Sequence, residues 1–97
     1  MAEIEIYDHI VADEEWGGIS AKGFRAALKE IGEGDFDLRI NSEGGNVDGA
    51  MAIYRAVADH PGHVTAYVDG LAASAASFIL MAADTRKMSQ SGFIMIH

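Results

Sequence analysis

Three parts of this sequence carry groups that could attack a carbonyl carbon or stabilise the charge that such an attack creates. Ser74 stands between two alanine pairs, where a valine-rich run gives way to an apolar helical pattern. Gly44 and Gly45 form a turn of the kind that can point backbone N–H groups at an anion. His97 follows the apolar residues 93–96. A hydroxyl, free amides and an imidazole are the groups that nucleophilic attack with oxyanion stabilisation requires.

Two of these features also have an ordinary structural interpretation. Serine is a preferred helix cap worth about 1 kcal/mol, and Ser74 stands where a helix is predicted to begin. Paired glycines occur in many tight turns. The loop at residues 41–46 lacks the Lys-Ser/Thr ending of a phosphate loop and the three-glycine spacing of a dinucleotide site. Ser74 also lacks the Gly-x-Ser-x-Gly pattern of the hydrolase elbow. The chemistry therefore depends on whether the fold brings these groups together.

Alternating strands and helices must position these groups. The hydrophobic pattern predicts strands over residues 2–11, 35–40, 64–71, 85–89 and 92–96, and helices over 20–31, 47–59 and 74–83. Ser20 and Asn46 are predicted to cap the first two helices. This alternation predicts an α/β fold with a largely parallel sheet and right-handed crossovers. In such sheets ligands bind beyond the carboxyl ends of the strands, where Ser74, His97 and the glycine turn would all lie.

The same pattern gives a predicted core. The second helix is expected to point inward the side chains of Ala50, Met51, Ile53, Tyr54 and Val57. The five methionines are expected mostly to fill the interior. The acidic run Asp13-Glu14-Glu15 is interpreted as a solvated turn and not as a cluster of ligands.

Length, composition and charge exclude several classes of protein. The 97 residues, 49% of them hydrophobic, make one small domain at most. The absence of cysteine excludes disulfides and thiolate sites. A net charge of −8 with seven scattered basic residues argues against a nucleic acid partner. The N-terminus lacks the basic region of a signal peptide, and no apolar run approaches the roughly 20 residues of a membrane span. We therefore predict a cytoplasmic protein with no membrane partner.

Four motifs, in the same order and approximate spacing, make the chain resemble the proteolytic subunit of the Clp protease, ClpP. They are Ile40-Asn41-Ser42-Glu43-Gly44-Gly45, Gly49-Ala50-Met51-Ala52-Ile53-Tyr54, Gly70-Leu71-Ala72-Ala73-Ser74-Ala75 and Met95-Ile96-His97. The resemblance covers about residues 3–97 and is interpreted as nearest to the head maturation (prohead) proteases of tailed phages and prophages. It implies the ClpP/crotonase-like fold of repeated β-α units. Two departures are Glu43 at the usual proline of the turn and a slightly shorter segment between serine and histidine.

The resemblance implies a role for each of the three groups. Ser74 would be the nucleophile, His97 the general base, and the backbone amides of Gly45 and Ala75 the oxyanion hole. We therefore predict a serine endopeptidase that forms an acyl-enzyme at Ser74 and requires no metal or cofactor. The approach to this serine is expected to be lined by Leu71, Ala72 and Ala73.

In the resembling family an aspartate downstream of the histidine orients the imidazole. No residue of this sequence matches it, because Asp48, Asp69 and Asp84 all precede His97 at positions that the family does not use. We expect residues 1–97 to be the N-terminal part of a single, longer protease domain. Losing the orienting carboxylate costs about 10⁴ in rate in trypsin-type enzymes, so an inactive 97-residue chain is one expected outcome.

The resemblance also implies a polypeptide substrate and homo-oligomeric rings. The partner would be an ATP-dependent unfoldase, or the substrates would be phage capsid and scaffold proteins. Two alternatives stay open. A crotonase-like acyl-CoA enzyme shares the fold type and the paired-amide oxyanion hole but needs no Ser–His dyad. A non-catalytic assembly fragment is the other alternative, supported by the missing aspartate.

Overall fold

Strands and helices alternate along the chain, as the hydrophobic pattern predicts. The computed structural model describes residues 2–90 and 92–95. Its elements are β1 (Glu3–Ile6), a 3-10 turn (Glu14–Trp16), α1 (Ala21–Ile31), β2 (Phe36–Ser42), α2 (Val47–Ala58), β3 (Val64–Ala73), α3 (Ala75–Leu80), β4 (Thr85–Met88) and β5 (Phe93–Met95). None of the helices in this described part combines the length and apolarity needed to cross a membrane.

The strands form one sheet whose described pairings are all parallel. The order is β1-β2-β3-β4, and β5 pairs with β3 beyond the end of β4. Along β3, residues 65–68 pair with β4 and residues 71–73 pair with β5. The predicted α/β fold with a largely parallel sheet is therefore confirmed. The carboxyl end of β3 lies between β2 and β5, which makes it the centre of the predicted site.

One face of the sheet carries the core, and the other face is polar. The neighbours Ile6, Ile40 and Val68 in the strand register are each at most 1% exposed. The helices contribute to the same core Phe24, Ile53 and Ile79. The opposite face of the same strands presents Glu5, Arg39 and Tyr67. Because the strand order follows the chain order, right-handed crossovers place the three helices on one face.

The first predicted strand is too long. The alternating pattern continues to Val11, but β1 ends at Ile6. Ile10 is buried like a strand residue, yet its backbone bridges Ile19 and Gly45 and does not extend the pairing with β2. Alternation of apolar and polar residues shows that a segment is half-buried, but it does not show which neighbour the backbone pairs with. The segment after β1 consequently reaches the glycine turn.

The third predicted helix is too long at both ends. The pattern predicts residues 74–83, whereas α3 spans Ala75–Leu80 and β3 extends to Ala73. Ser74 has φ 53° and ψ −122°, which is not a helical conformation. Within the described part of the chain it is the only residue other than glycine with positive φ. A single residue therefore separates the central strand from the helix that follows it.

Both predicted helix caps are confirmed. The side chain of Ser20 accepts a hydrogen bond from Gly23 N at 3.0 Å, and that of Asn46 accepts one from Gly49 N at 2.6 Å. The hydroxyl of Ser20 also donates to Glu14 Oε2 at 2.5 Å, and this bond lowers the pKa of the Glu14 carboxyl. The acidic run predicted as a solvated turn is thus a 3-10 turn tied to the start of α1.

A polar network joins β2 and β3 on the helix-free face. Arg39 donates from Nη1 to Asp69 Oδ1 at 2.9 Å and from Nε to Glu3 Oε1 at 3.3 Å. Its guanidinium carbon lies 4.0 Å from the centroid of the Tyr67 ring. The Tyr7 hydroxyl, just beyond β1, donates to the same Asp69 carboxylate. This hydrogen bond, together with partial burial and the carboxylate charge, raises the pKa of Tyr7 to about 12.

We expect the Tyr7 hydrogen bond to stabilise the protein up to high pH. Because the folded-state pKa of about 12 exceeds the ordinary 10.0, this stabilisation is complete below pH 10 and is lost as the pH rises through 12. Tyrosinate absorbance should therefore show one tyrosine that ionises late. Tyr7→Phe should remove that ionisation, and Asp69→Asn should move it toward the ordinary value. Identical titration curves for the parent protein and Tyr7→Phe would contradict the assignment.

Candidate active site

The predicted site lies where the carboxyl ends of β2, β3 and β5 meet. Ser42, the last residue of β2, pairs with Ala72 of β3 after an irregularity in the register. On the other side of β3, Ala73 pairs with Met95 of β5. The glycine turn follows β2 directly, and Ser74 follows β3 directly. The structure therefore brings together two of the three predicted groups.

The glycine turn lies in contact with Ser74. A Cβ added to Gly44 would lie 2.7 Å from Ala73 O, 3.0 Å from Ala75 N and 3.1 Å from Ser74 Cβ. Gly44 also has φ 100°, a value that favours glycine. A side chain at this position is thus opposed both by the backbone conformation and by the neighbouring loop. Glycine allows the two loops to approach each other this closely.

The second glycine of the turn packs against the segment that follows β1. Gly45 has φ 138°, and an added Cβ would lie 2.2 Å from Ile10 O. The N–H of Ile10 donates to Gly44 O at 2.8 Å, and the carbonyl of Ile10 accepts from Asn46 N at 2.8 Å. The backbone of one buried residue therefore holds the turn from both sides.

These hydrogen bonds also set the direction of the Gly45 N–H. The Gly44 carbonyl and the Gly45 N–H belong to one planar trans peptide group, so they point in opposite directions. Because the carbonyl points at Ile10 N, the N–H points away from Ile10. Among residues 2–90 and 92–95 no hydrogen bond is donated by the N–H of Gly45 or of Ala75. The two amides predicted for an oxyanion hole are thus unpaired within this part of the chain.

Ser74 is held in its unusual conformation from both sides. Its N–H donates to Met95 O at 2.7 Å. Its carbonyl accepts from the N–H of Ser77 at 3.1 Å and from the hydroxyl of Ser77 at 2.5 Å. The Ser74 side chain makes no helix-capping hydrogen bond, and the residue is exposed. The interpretation of Ser74 as a helix cap is therefore wrong. It stands at the N-cap position, but its side chain bonds none of the first N–H groups of α3, and its φ of 53° is not the extended conformation in which a serine caps.

An apolar groove of about 360 Å³ opens beside Ser74. Its apolar lining comes from α2, α3 and the residue after α3, as Val47, Ala50, Met51, Phe78 and Met81. Phe78 stacks on Tyr54 with 4.6 Å between the ring centroids, which fixes the two helices against each other at the groove. Val47 is 67% exposed and Phe78 is 41% exposed. An apolar group bound here would remove that surface from water at about 25 cal/mol per Å².

Two predictions about the surroundings of Ser74 are wrong. Met51 is predicted to point into the core, but it is 39% exposed and lines the groove. Ala72 and Ala73 are predicted to line the approach, but both are buried. The sequence does carry a signal for the residues that line the groove, because α2 and α3 both start at this edge of the sheet. Apolar side chains in their first turns, such as Val47 and Phe78, therefore face the site.

The methionines are also more exposed than predicted. Besides Met51, three others are more than 40% exposed, namely Met81, Met88 and Met95. Methionine is flexible and apolar, so its type alone does not separate a core position from a groove.

The predicted general base, His97, lies outside the described residues. The last described residue of β5 is Met95, whose carbonyl accepts the Ser74 N–H. Two of the aspartates that sequence analysis leaves unassigned have other partners. Asp69 binds Arg39, and Asp84 accepts from Val64 N at 2.8 Å. In the described part of the chain no three histidine, aspartate or glutamate side chains are grouped to hold a metal ion.

Comparison with known proteins gives matches to one family model and to several solved structures. The family model described as Clp protease matches residues 25–97. The ClpP protease catalytic domain from Plasmodium falciparum is 30% identical with a TM-score of 0.77, covering 98% of this chain and 53% of that one. ClpP1 from Listeria monocytogenes is 25% identical with a TM-score of 0.68, covering 84% of this chain and 46% of that one. The chain thus spans about half the length of these solved structures. No curated protein matches it significantly.

Proposed function

The chain belongs to the Clp protease family, since the family model matches most of its length, and we propose that it carries the nucleophile and the oxyanion hole of a serine endopeptidase. One observation carries the proposal. The Gly44-Gly45 turn lies against an exposed serine of positive φ, and a Cβ on Gly44 would lie 3.1 Å from Ser74 Cβ. The backbone amides of Gly45 and Ala75, which donate no hydrogen bond within residues 2–90 and 92–95, support the proposed oxyanion hole.

The proposed reaction begins with attack of the Ser74 hydroxyl oxygen on the carbonyl carbon of a peptide bond. A base takes the hydroxyl proton, and the N–H groups of Gly45 and Ala75 donate to the oxyanion that forms. Each such donor is worth about 3–4 kcal/mol of transition-state stabilisation. The C–N bond then breaks, the amine leaves with the proton from the base, and an acyl-enzyme remains on Ser74. Water then attacks this ester as the base takes its proton, the bond between the Ser74 oxygen and the acyl carbon breaks, and a carboxylic acid leaves while the base returns the proton to the serine.

We propose His97 as the base. Met95 O accepts the Ser74 N–H at 2.7 Å, so the end of β5 lies beside the nucleophile. Two further residues extend the chain by at most about 7 Å, which limits how far the Cα of His97 can lie from that of Met95. An imidazole is also the side chain whose ordinary pKa suits proton transfer near neutral pH.

The groove supports a polypeptide substrate with an apolar side chain next to the bond that is cut. Its exposed apolar lining lies beside Ser74 and offers little polar recognition. Family membership favours ring-shaped homo-oligomers and a cytoplasmic location. An ATP-dependent unfoldase partner and a phage head maturation role, with capsid or scaffold proteins as substrates, stay predictions from the sequence motifs. An inactive 97-residue chain is likewise still an expectation.

A fluorophosphonate probe tests the proposal directly. Because the chain spans about half of its solved relatives, the protein is labelled at its natural length and, in parallel, as the 97 residues. We expect one adduct by intact mass, located on Ser74 by peptide mapping and absent from Ser74→Ala. Ser89→Ala is the matched control, because Ser89 is exposed, follows β4 directly, and within the described residues its hydroxyl bonds only to the carbonyl of Asp69. It should label at the parent rate.

The outcomes separate the alternatives. A folded, full-length protein that takes no label would contradict the nucleophile and favour the crotonase-like or the non-catalytic alternative. Labelling of the full-length protein but not of the 97 residues would show that the site needs the remainder of the domain. His97→Ala should slow labelling strongly without preventing folding, and labelling at the parent rate would remove His97 from the proposal.

A further inference from the structure

Ser42 lies at the base of the glycine turn and is 4% exposed. Its hydroxyl donates to Asp8 O at 2.7 Å and accepts from Gly44 N at 3.1 Å. It thereby joins the segment after β1 to the turn that contacts Ser74. In the part of the chain that the structure describes, no other side chain bonds to the backbone of Glu43, Gly44 or Gly45.

The turn contains two consecutive peptide groups whose orientation determines where its amides point. The peptide between Glu43 and Gly44 is held by the Ser42 hydroxyl through the Gly44 N–H. The next peptide, between Gly44 and Gly45, is held by Ile10 N through the Gly44 carbonyl. Glycine has low barriers to backbone rotation in both directions, so a turn of two glycines has little stiffness of its own. The orientation of the second peptide therefore depends on that of the first as well as on its own hydrogen bond.

We infer that Ser42 is a positioning residue for the oxyanion hole: its hydroxyl fixes the first peptide of the turn so that the Gly45 N–H keeps its direction. This inference rests on the proposed function. Ser42 does not line the groove, so it acts through the turn and does not touch the substrate. Its loss should therefore impair stabilisation of the transition state and leave binding of an apolar group unchanged.

Ser20 provides a closely matched control. It is also buried, at 6% exposed, and its hydroxyl also accepts from the N–H of a glycine, Gly23, at 3.0 Å. It donates to an oxygen as well, that of Glu14. Replacing either serine with alanine leaves a glycine N–H without its partner, that of buried Gly44 or that of exposed Gly23, and Ser20→Ala also loses the cap of α1, so both variants should lose stability. The difference is that Ser20 caps α1 and makes no hydrogen bond to the turn.

The experiment follows the kinetics of fluorophosphonate labelling at natural length. The maximal labelling rate, kinact, is measured separately from the dissociation constant of the probe, KI. For Ser42→Ala we expect kinact to fall about 10- to 100-fold with KI unchanged, since small displacements of an oxyanion donor have effects of this size. Ser42→Thr keeps a hydroxyl and should retain most of the rate. Ser20→Ala should keep both constants while its unfolding midpoint falls.

Three results would overturn the inference: an unchanged kinact in Ser42→Ala, an equal fall of kinact in Ser20→Ala, or an effect confined to KI. If Ser42→Ala does not fold, Ser42→Cys replaces it, because a thiol is a weaker donor and acceptor of nearly the same shape. Its kinact should lie between those of the parent and background, and a parent value would contradict the inference. Failure of the parent protein to label would instead contradict the proposed function itself.

Discussion

Ser74→Gly is expected to abolish peptide hydrolysis and fluorophosphonate labelling, and at the same time to make the protein more stable. Ser74 has φ 53° and ψ −122°, a conformation that costs a residue with a Cβ about 1–3 kcal/mol and costs glycine almost nothing. Part of this gain is offset by the greater freedom of glycine in the unfolded chain. We therefore expect the free energy of unfolding to rise by about 1 kcal/mol, measured by urea denaturation at natural length.

Ser74→Ala separates the two effects. It removes the hydroxyl but keeps the Cβ, so it should be as inactive as the glycine variant without gaining its stability. The hydroxyl makes no capping hydrogen bond, so its removal costs α3 no cap. Loss of a catalytic serine typically lowers kcat by about 10⁶. A glycine variant less stable than the alanine variant would show that the backbone at this position is not strained.

The strained backbone of Ser74 bears on why a serine is present at this position. A residue chosen for stability at this position would be glycine, and a residue chosen to cap α3 would direct its hydroxyl to the N–H groups of the first turn. Ser74 does neither. Instead, β5 and α3 hold its backbone by hydrogen bonds with Met95 and Ser77, and the exposed residue lines the groove. Strain that the surroundings maintain is typical of functional positions.

The order of the elements could be predicted from the sequence because the longer elements, α1, α2, β2 and β3, each show their own period. The caps at Ser20 and Asn46 and the meeting of two loops at one sheet edge also follow from local sequence and from the geometry of parallel sheets. These features require no knowledge of specific contacts. They are sufficient to place the Gly44-Gly45 turn near Ser74.

The features that were missed depend on contacts between distant segments. The Ala-Ala-Ser-Ala-Ala sequence favours a helix, so nothing local predicts the positive φ of Ser74. The strand pattern through Ile10 gives no sign that its backbone pairs with Gly45, 35 positions further along. Met51 lies on an apolar stripe of α2, and only the position of α3 decides that it lines a groove. Tertiary packing determined these three outcomes.

Gly45→Ala is expected to lower both stability and labelling more than any other single methyl group added to the turn. The new Cβ would lie 2.2 Å from Ile10 O, which accepts a hydrogen bond from Asn46 N and belongs to a residue whose N–H donates to Gly44 O, so this carbonyl cannot move away freely. The φ of 138° adds a conformational cost. We expect a loss of about 3 kcal/mol or more in the free energy of unfolding. Displacement of the Gly45 N–H should also lower kinact about 10²- to 10³-fold, as loss of an oxyanion donor does.

Gly32→Ala is the matched control, since Gly32 also has a positive φ but lacks the collision. Gly32 has φ 80°, ends α1, and an added Cβ would meet nothing within 4 Å. It should therefore show the conformational cost alone, about 1 kcal/mol, with kinact unchanged. The difference between the two variants isolates the contact between Gly45 and Ile10. If Gly45→Ala labels as fast as Gly32→Ala, the turn is not part of the oxyanion hole, because a methyl group 2.2 Å from Ile10 O would displace the Gly45 N–H.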